Sequence, residues 1–326
     1  MSTDFDSNCV YYNELPLESP GCSQHLSRCR RCHSKLYAED TDFTSKWIDP
    51  LVILDRRREE TTVLRNLLAG RGAFLLCGGP SANDQPLEML SKRGIWSLAV
   101  NNMAGHSRTH PNAFVCSDPP RKFSHSIWLD PAIMKFIPIP KLKPRPGQLR
   151  RRTTDGRFVP LEQSACDCAN VWGFKRNSWL MPDESFFTAD GACWGNHAQG
   201  VKATGQPKTV CTTLLGLRLL KYLGASTVYL VGVDFRMTDS SGYSFAQKRD
   251  ADAAASNNHL FSVVNKWLCT MQESEVFKKF GMAVYNTFER SGLRAFPYVP
   301  FEEAIEVAQG LVEDEPDLRD WYNPEN

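Results

Sequence analysis

The sequence predicts an α/β fold with a mainly parallel sheet. Three observations carry it: short apolar runs at residues 73–77 (AFLLC), 95–100 (IWSLAV) and 113–116 (AFVC), each running straight into small or polar residues. Runs that are apolar throughout suit strands buried on both faces, and polar residues just beyond them form the carboxyl edge of such a sheet.

The elements follow in order. Residues 1–45 hold four cysteines and two histidines with little periodic apolar content, and form a separate module. Apolar spacing over WIDPLVILDRRREETTVLRNLLAG predicts a helical linker over 46–72, closed by Gly70 and Gly72. The strand at 73–77 leads into Gly78-Gly79-Pro80-Ser81 and a helix over 83–92. The next two strands end in Asn101-Asn102 and in Ser117-Asp118-Pro119-Pro120. Residues 120–205 are rich in Pro, Gly, Trp and charge and read as an irregular insertion within a catalytic domain over 73–310. A helix over 209–224 opens on threonines and stops at glycine. The strand YLVGVD then ends on Asp234, ahead of Phe235-Arg236 and Gly242-Tyr243-Ser244-Phe245. Asn257-Asn258-His259 opens an amphipathic helix to about residue 272, a short strand follows at 282–286, and 311–326 is an acidic tail.

Composition bounds the function classes. With 38 Lys+Arg against 37 Asp+Glu the chain is no uniformly basic nucleic-acid binder, although an average conceals local patches. No apolar run is long enough to span a bilayer, and the start MSTDFDSNC is no secretory signal, so a cytoplasmic location (the host's, for a viral protein) is expected, with no membrane partner. In a reducing compartment, eleven cysteines point to metal binding or packing rather than disulfides.

A strand, a glycine turn and a helix together cradle phosphate, through close backbone approach and free N–H groups. GGPS departs from both G-x-G-x-x-G and the Lys-containing P-loop, so neither a dehydrogenase nor a P-loop NTPase follows. Asn101, Asn102 and Asp118 converge on the same crevice. Arg236 and Tyr243 are suited to a departing phosphate, and His259 to taking a proton near neutral pH. Asp234 fits a ribose, a catalytic partner or the loop itself.

The order GGPS, NN, DPP, TT-x8-YLG-x4-YLVGVDF, GYSF and NNH resembles the bacterial lipooligosaccharide sialyltransferases and related pterin-pyrophosphokinase-like and motility-accessory Rossmann proteins over about 73–290. The CSDPP and VWGF wording is more similar to viral glycosyltransferase-type proteins, which implies a phage source. The resemblance implies a Rossmann-like sheet with Gly78, Gly79, Pro80 and Ser81 at the donor phosphates, and Asn102 and Thr212, with Thr213 beside it, near the nucleotide. It further implies Tyr243 as a phosphate contact and His259 as general base. Asp118 replaces an asparagine of those enzymes and Arg236 a second tyrosine. A carboxylate beside an acidic sugar is repulsive, so transfer from a nucleotide-sugar is expected, without sialic acid as the sugar.

Two further sets complete the reading. Cys22-x2-His25-x3-Cys29-x2-Cys32-His33, with Cys9 as an alternative ligand, suits a structural zinc ion; Cys166, Cys168, Cys193 and His197 form a second possible set. No catalytic metal is expected. Between 135 and 157, Lys135, Lys141, Lys143, Arg145, Arg150, Arg151, Arg152 and Arg157 face one acid, Asp155, with Phe136, Phe158 and Trp172 available to stack on bases. The expected partners are therefore a nucleotide-sugar donor and DNA, the acceptor being a hydroxymethylated base of phage DNA. Two alternatives are a Mg²⁺-dependent pyrophosphokinase using Asp118 and Asp234, and a non-catalytic nucleic-acid-binding protein.

Overall fold

The computed structural model describes residues 64–138, 147–153, 157–174, 182–188, 211–238, 242–245 and 251–310, with the short strand pairs Ile53–Leu54/Thr61–Thr62 and Arg176–Asn177/Cys193–Trp194. Seven strands build its main sheet: β1 (Gly72–Leu76), β2 (Trp96–Val100), β3 (Ala113–Val115), β4 (Met134–Pro138), β5 (Val171–Phe174), β6 (Thr227–Val231) and β7 (Ala283–Asn286). Their order is β7-β6-β1-β2-β3-β4-β5, and every adjacent pair is parallel. The expected Rossmann-like α/β architecture is thus present.

Helices α1 (Thr212–Tyr222) and α2 (Ala251–Glu273) pack on one face through Leu214, Leu217, Val264 and Leu268. The other face is covered by Leu87, Ile127, Trp128 and helix α3 (Phe301–Gly310) through Ala304, Ile305 and Ala308. Both faces being dry explains the unbroken apolar runs. Helix α1 lies close on β1: a Cβ at Gly216 would stand 2.5 Å from Leu75 Cδ1, so the missing side chain is a notch that receives the leucine. Among the described residues, no helix is long and apolar enough to cross a membrane.

Four expectations are corrected. The stretch 120–205 is not wholly irregular, since it supplies β4 and β5 to the edge of the sheet. A lysine inside β4 masked that strand. Lys135 is fully buried, and its ammonium donates to the carbonyl oxygens of Asp130 and, at 2.8 Å, Ala169. The linker is not a helix in its described part: Ile53–Leu54 pairs antiparallel with Thr61–Thr62, as β-branched residues favour, and 65–70 form turns. The helix expected over 83–92 is two 3₁₀ turns, Pro80–Asp84 and Leu87–Ser91, divided at Pro86, which has no N–H to continue a helical ladder. Finally, α2 starts at Ala251 rather than His259, because the alanine-rich ADAAAS stretch carries strong helix propensity. The cysteine module of 1–45 and the acidic tail lie outside the described residues.

Candidate functional site

The chain proceeds outward from β1 to β5, then returns to the other side of β1 as β6. Side by side, β6 and β1 make the topological switch point where crevices open at the carboxyl edge. A cavity of about 290 Å³ lies there, lined from β6 by Asp234 and Arg236, from β1 by Gly78 and Gly79, from β2 by Asn101 and from β3 by Ser117 and Asp118. Thr212 and Thr213 at the start of α1 line it too, as does Tyr243.

The β1 and β6 loops are locked together. A Cβ at Gly79 would lie 1.9 Å from Asp234 Oδ2 and 2.5 Å from Gly232 O; one at Gly232, where φ is +65°, would lie 2.2 Å from Cys77 O. These glycines permit chain-to-chain approach. Ser81 then donates its hydroxyl to Asp234 Oδ2 at 2.8 Å and its N–H to Oδ1 at 3.2 Å. Burial pushes the Asp234 carboxyl above its ordinary range, against the downward pull of those bonds. The protein's own carboxylate therefore occupies the N–H expected to meet a phosphate. Ser81 is buried, and neither it nor Pro80 lines the cavity.

A second clamp holds the same segment. Arg108 grips Glu88 at 2.7 and 3.0 Å and donates to the carbonyls of Asn83 and Gln85 at 3.0 and 2.8 Å. The guanidinium holds the Glu88 carboxyl down at about 2. His106, against Asn83 Oδ1 at 3.3 Å, has its basicity lowered by burial.

Asn101 adopts a left-handed backbone (φ +54°) and sets Nδ2 3.5 Å from Thr212 Oγ1, while its buried Oδ1 finds no partner among the described residues. Asn102 does not line the cavity. Thr213 Oγ1 lies 3.5 Å from the Cys77 sulfur, and burial pushes that thiol up to about 12, which makes it a packing group rather than a nucleophile. Asp118 is exposed, with Oδ2 3.0 Å from Lys122 Nζ.

Past β6 the backbone is strained: Phe235 sits at φ +50°, unusual for a bulky residue. Its ring stacks on Phe261 of α2 at 5.0 Å, and Tyr243 stacks on Phe245 at 5.2 Å. Asn258 pins the loop by accepting the Met237 N–H at 2.7 Å and donating to its carbonyl at 2.9 Å. Asn257, Leu260 and Phe261 share the face of α2 that lines the cavity. His259 falls between them in sequence, so the helical turn carries it to the exposed face, away from the lining. The sequence reading missed this aromatic wall; the spacing of Asn257 and Phe261, one turn apart, was the available signal.

The remaining candidates scatter. Arg150, Arg151 and Arg157 are exposed on an antiparallel hairpin that pairs Arg150–Arg152 with Phe158–Pro160. Lys141, Lys143 and Arg145 lie outside the described residues. Lys135, Phe136 and Trp172 are buried in β4 and β5, so they are withdrawn as nucleic-acid contacts. The zinc candidates Cys9, Cys22, His25, Cys29 and Cys32 and the second-set histidine His197 also lie outside the described residues. Cys166 and Cys168 are buried, and among the described residues no group of His, Cys, Asp and Glu is arranged to hold a metal ion.

No protein-family model and no curated protein sequence matches the chain. Among solved structures it is similar to the sialyltransferase CstII from Campylobacter jejuni, solved with the substrate analogue cytidine-5'-monophosphate. Identity is 11% over 71% of this chain and 85% of that one, with a TM-score of 0.35, a likeness too slight to bear on function.

Proposed function

We propose that the protein is a nucleotide-sugar-dependent glycosyltransferase. The observation that carries this reading is the polarity of the cavity. Arg236 stands at its β6 side, next to an Asp234 carboxylate already engaged by Ser81, and the Tyr243 ring packs beside Gly78 after β1, whereas Asn101 and Asp118 line its β2–β3 side. Strands β6 to β3 are three sheet spacings apart, roughly 14 Å, a span suited to a sugar joined to a nucleotide phosphate. The phosphates belong beside Arg236 and Tyr243, and a sugar rich in hydroxyls beside Asn101 and Asp118. A sugar carboxylate there would meet Asp118 with like charge.

In the reaction, an acceptor hydroxyl attacks the anomeric carbon, the new C–O bond forms and the bond to the donor phosphate breaks. The Asp118 carboxylate takes the hydroxyl proton. The departing phosphate keeps the electron pair, and Arg236 and Tyr243 neutralise its charge. This assignment moves the base from His259, which stands off the cavity, to Asp118. The acceptor we assign is a hydroxymethylated base of DNA, supported by the exposed arginines of the hairpin.

The phosphotransferase alternative fits less well. Of its two carboxylates, Asp234 is already engaged by Ser81 and Asp118 is paired with Lys122. The test is incubation with hydroxymethylated and plain DNA and a panel of nucleotide-sugars, read by nucleoside mass spectrometry. Sugar addition lost in Asp118→Asn and Arg236→Ala but kept in His259→Ala is expected. Full activity in Asp118→Asn would overturn the mechanism, and no sugar addition from any donor the class.

A further inference from the structure

The hairpin Arg150–Arg152/Phe158–Pro160 belongs to neither layer of the fold. Its ladder pairs Arg150 with Pro160, Arg151 with Val159 and Arg152 with Phe158. Alternation places Arg150 and Arg151 on opposite faces, and Phe158 and Val159 likewise, yet all four are exposed, Phe158 by 63% and Val159 by 42%. A two-stranded ribbon with a dry face would hide one alternate set, so this ribbon stands in solvent on both sides. It is held at its root, where Leu149 is fully buried, the Leu161 N–H donates to Leu149 O at 2.9 Å and Gln148 Oε1 accepts the Ala165 N–H at 2.9 Å. The described residues of the ribbon, 147–153 and 157–160, contain no acid.

We infer that this ribbon is a DNA-docking arm that enters the major groove of a duplex. The inference rests on the DNA-acceptor reading above and supplies the element that would hold the acceptor. A two-stranded ribbon matches the width of the major groove, and the C5 substituent of pyrimidines projects into that groove. With the Phe158 face turned to the groove floor its ring meets the C5 substituents with apolar contact, Val159 lies on the outer face, and Arg150 and Arg151, at the ribbon's edge, reach the phosphate chains that flank the groove. The arm thereby holds duplexes whose pyrimidines carry a C5 substituent, the hydroxymethyl group among them.

The test is fluorescence anisotropy of a labelled duplex, plain or hydroxymethylated, titrated with the full chain at several salt concentrations. Losing two phosphate contacts should lower the slope of log affinity against log salt by about 2 and weaken binding roughly 10- to 30-fold near 0.15 M salt. Arg150→Ala/Arg151→Ala is the variant, and its melting temperature should be unchanged because both side chains are exposed. Phe158→Ala should erase any preference for the hydroxymethylated duplex. Unchanged affinity and slope in the double variant would overturn the proposal. So would tighter binding to the matching single strand, or equal arginine-dependent capture by phosphatidylserine vesicles. Arm-dependent duplex binding by the wild-type chain, with no sugar transferred from any donor, would sink the transferase reading alone.

Discussion

Replacing Ser81 by alanine tests how the β1 and β6 loops are held. The change removes the 2.8 Å hydroxyl bond to Asp234 Oδ2 and leaves the N–H contacts at 3.2 and 3.4 Å. A hydrogen bond to a charged group contributes about 1.5–3 kcal/mol. At about 2–4 °C per kcal/mol for a folded unit of this size, Tm should fall by roughly 3–12 °C at neutral pH. The pH dependence has a definite sign. Burial raises the native Asp234 carboxyl above its unfolded value, so between the two values the native state binds more protons, and this group's contribution to stability falls as pH rises. The serine bond favours the ionised form. Its loss moves the carboxyl further up, so the penalty is full above the native value and shrinks on acidification through the carboxylate range. Thermal melts by circular dichroism from about pH 4 to about pH 8, on wild type, Ser81→Ala, Asp234→Asn and the double variant, read both effects. The serine change should cost less beside Asn, which accepts hydrogen bonds but carries no charge. An unchanged Tm at neutral pH, or a penalty that grows on acidification, refutes the latch.

Three shorter predictions accompany it. Gly79→Ala places a methyl where 1.9 Å separates it from Asp234 Oδ2, so it should lose about 1–3 kcal/mol to overpacking plus the latch itself, and melt below Ser81→Ala by calorimetry. Lys135→Ala deserts two carbonyl oxygens and opens a void in β4; it should cost about 2–5 kcal/mol in urea denaturation while duplex affinity stays at the wild-type value. Cys77, buried and with its thiol pushed up to about 12, should resist iodoacetamide in the native protein and react only on unfolding, as followed by peptide mass mapping.

The centre of the sheet was legible because strands covered on both faces are apolar at every position, as in Phe74-Leu75-Leu76 and Val228 to Val231. Its edge was not. Lys135 breaks the apolar pattern of β4, and only the tertiary carbonyls of Asp130 and Ala169 make its burial tolerable. The polar strand ends Asn101, Asp118 and Asp234 do meet in one cavity, as their place after strands implies. The neighbours of GGPS were not legible for a physical reason. A glycine pair reports that something approaches closely, not what approaches, and here Phe245 and Tyr243 approach Gly78 while Asp234 and Gly232 approach Gly79. His259 was misplaced by the late helix start: once α2 begins at Ala251, the register of its turns decides which of Asn257, His259 and Phe261 faces inward.

The notch at Gly216 has a consequence for the depth of the cavity. Because Leu75 seats where a methyl would be, α1 rides lower on β1 than any other residue there would allow, and Thr212 and Thr213 at its leading end are lowered with it. A single missing methyl group, a full turn of helix from the threonines, thus lets the helix that carries them lie close on β1. A methyl there would press on Leu75, and the packing around that leucine decides whether its side chain turns aside or the helix is pushed outward. The wall of the cavity thus leans on a leucine that the cavity never touches.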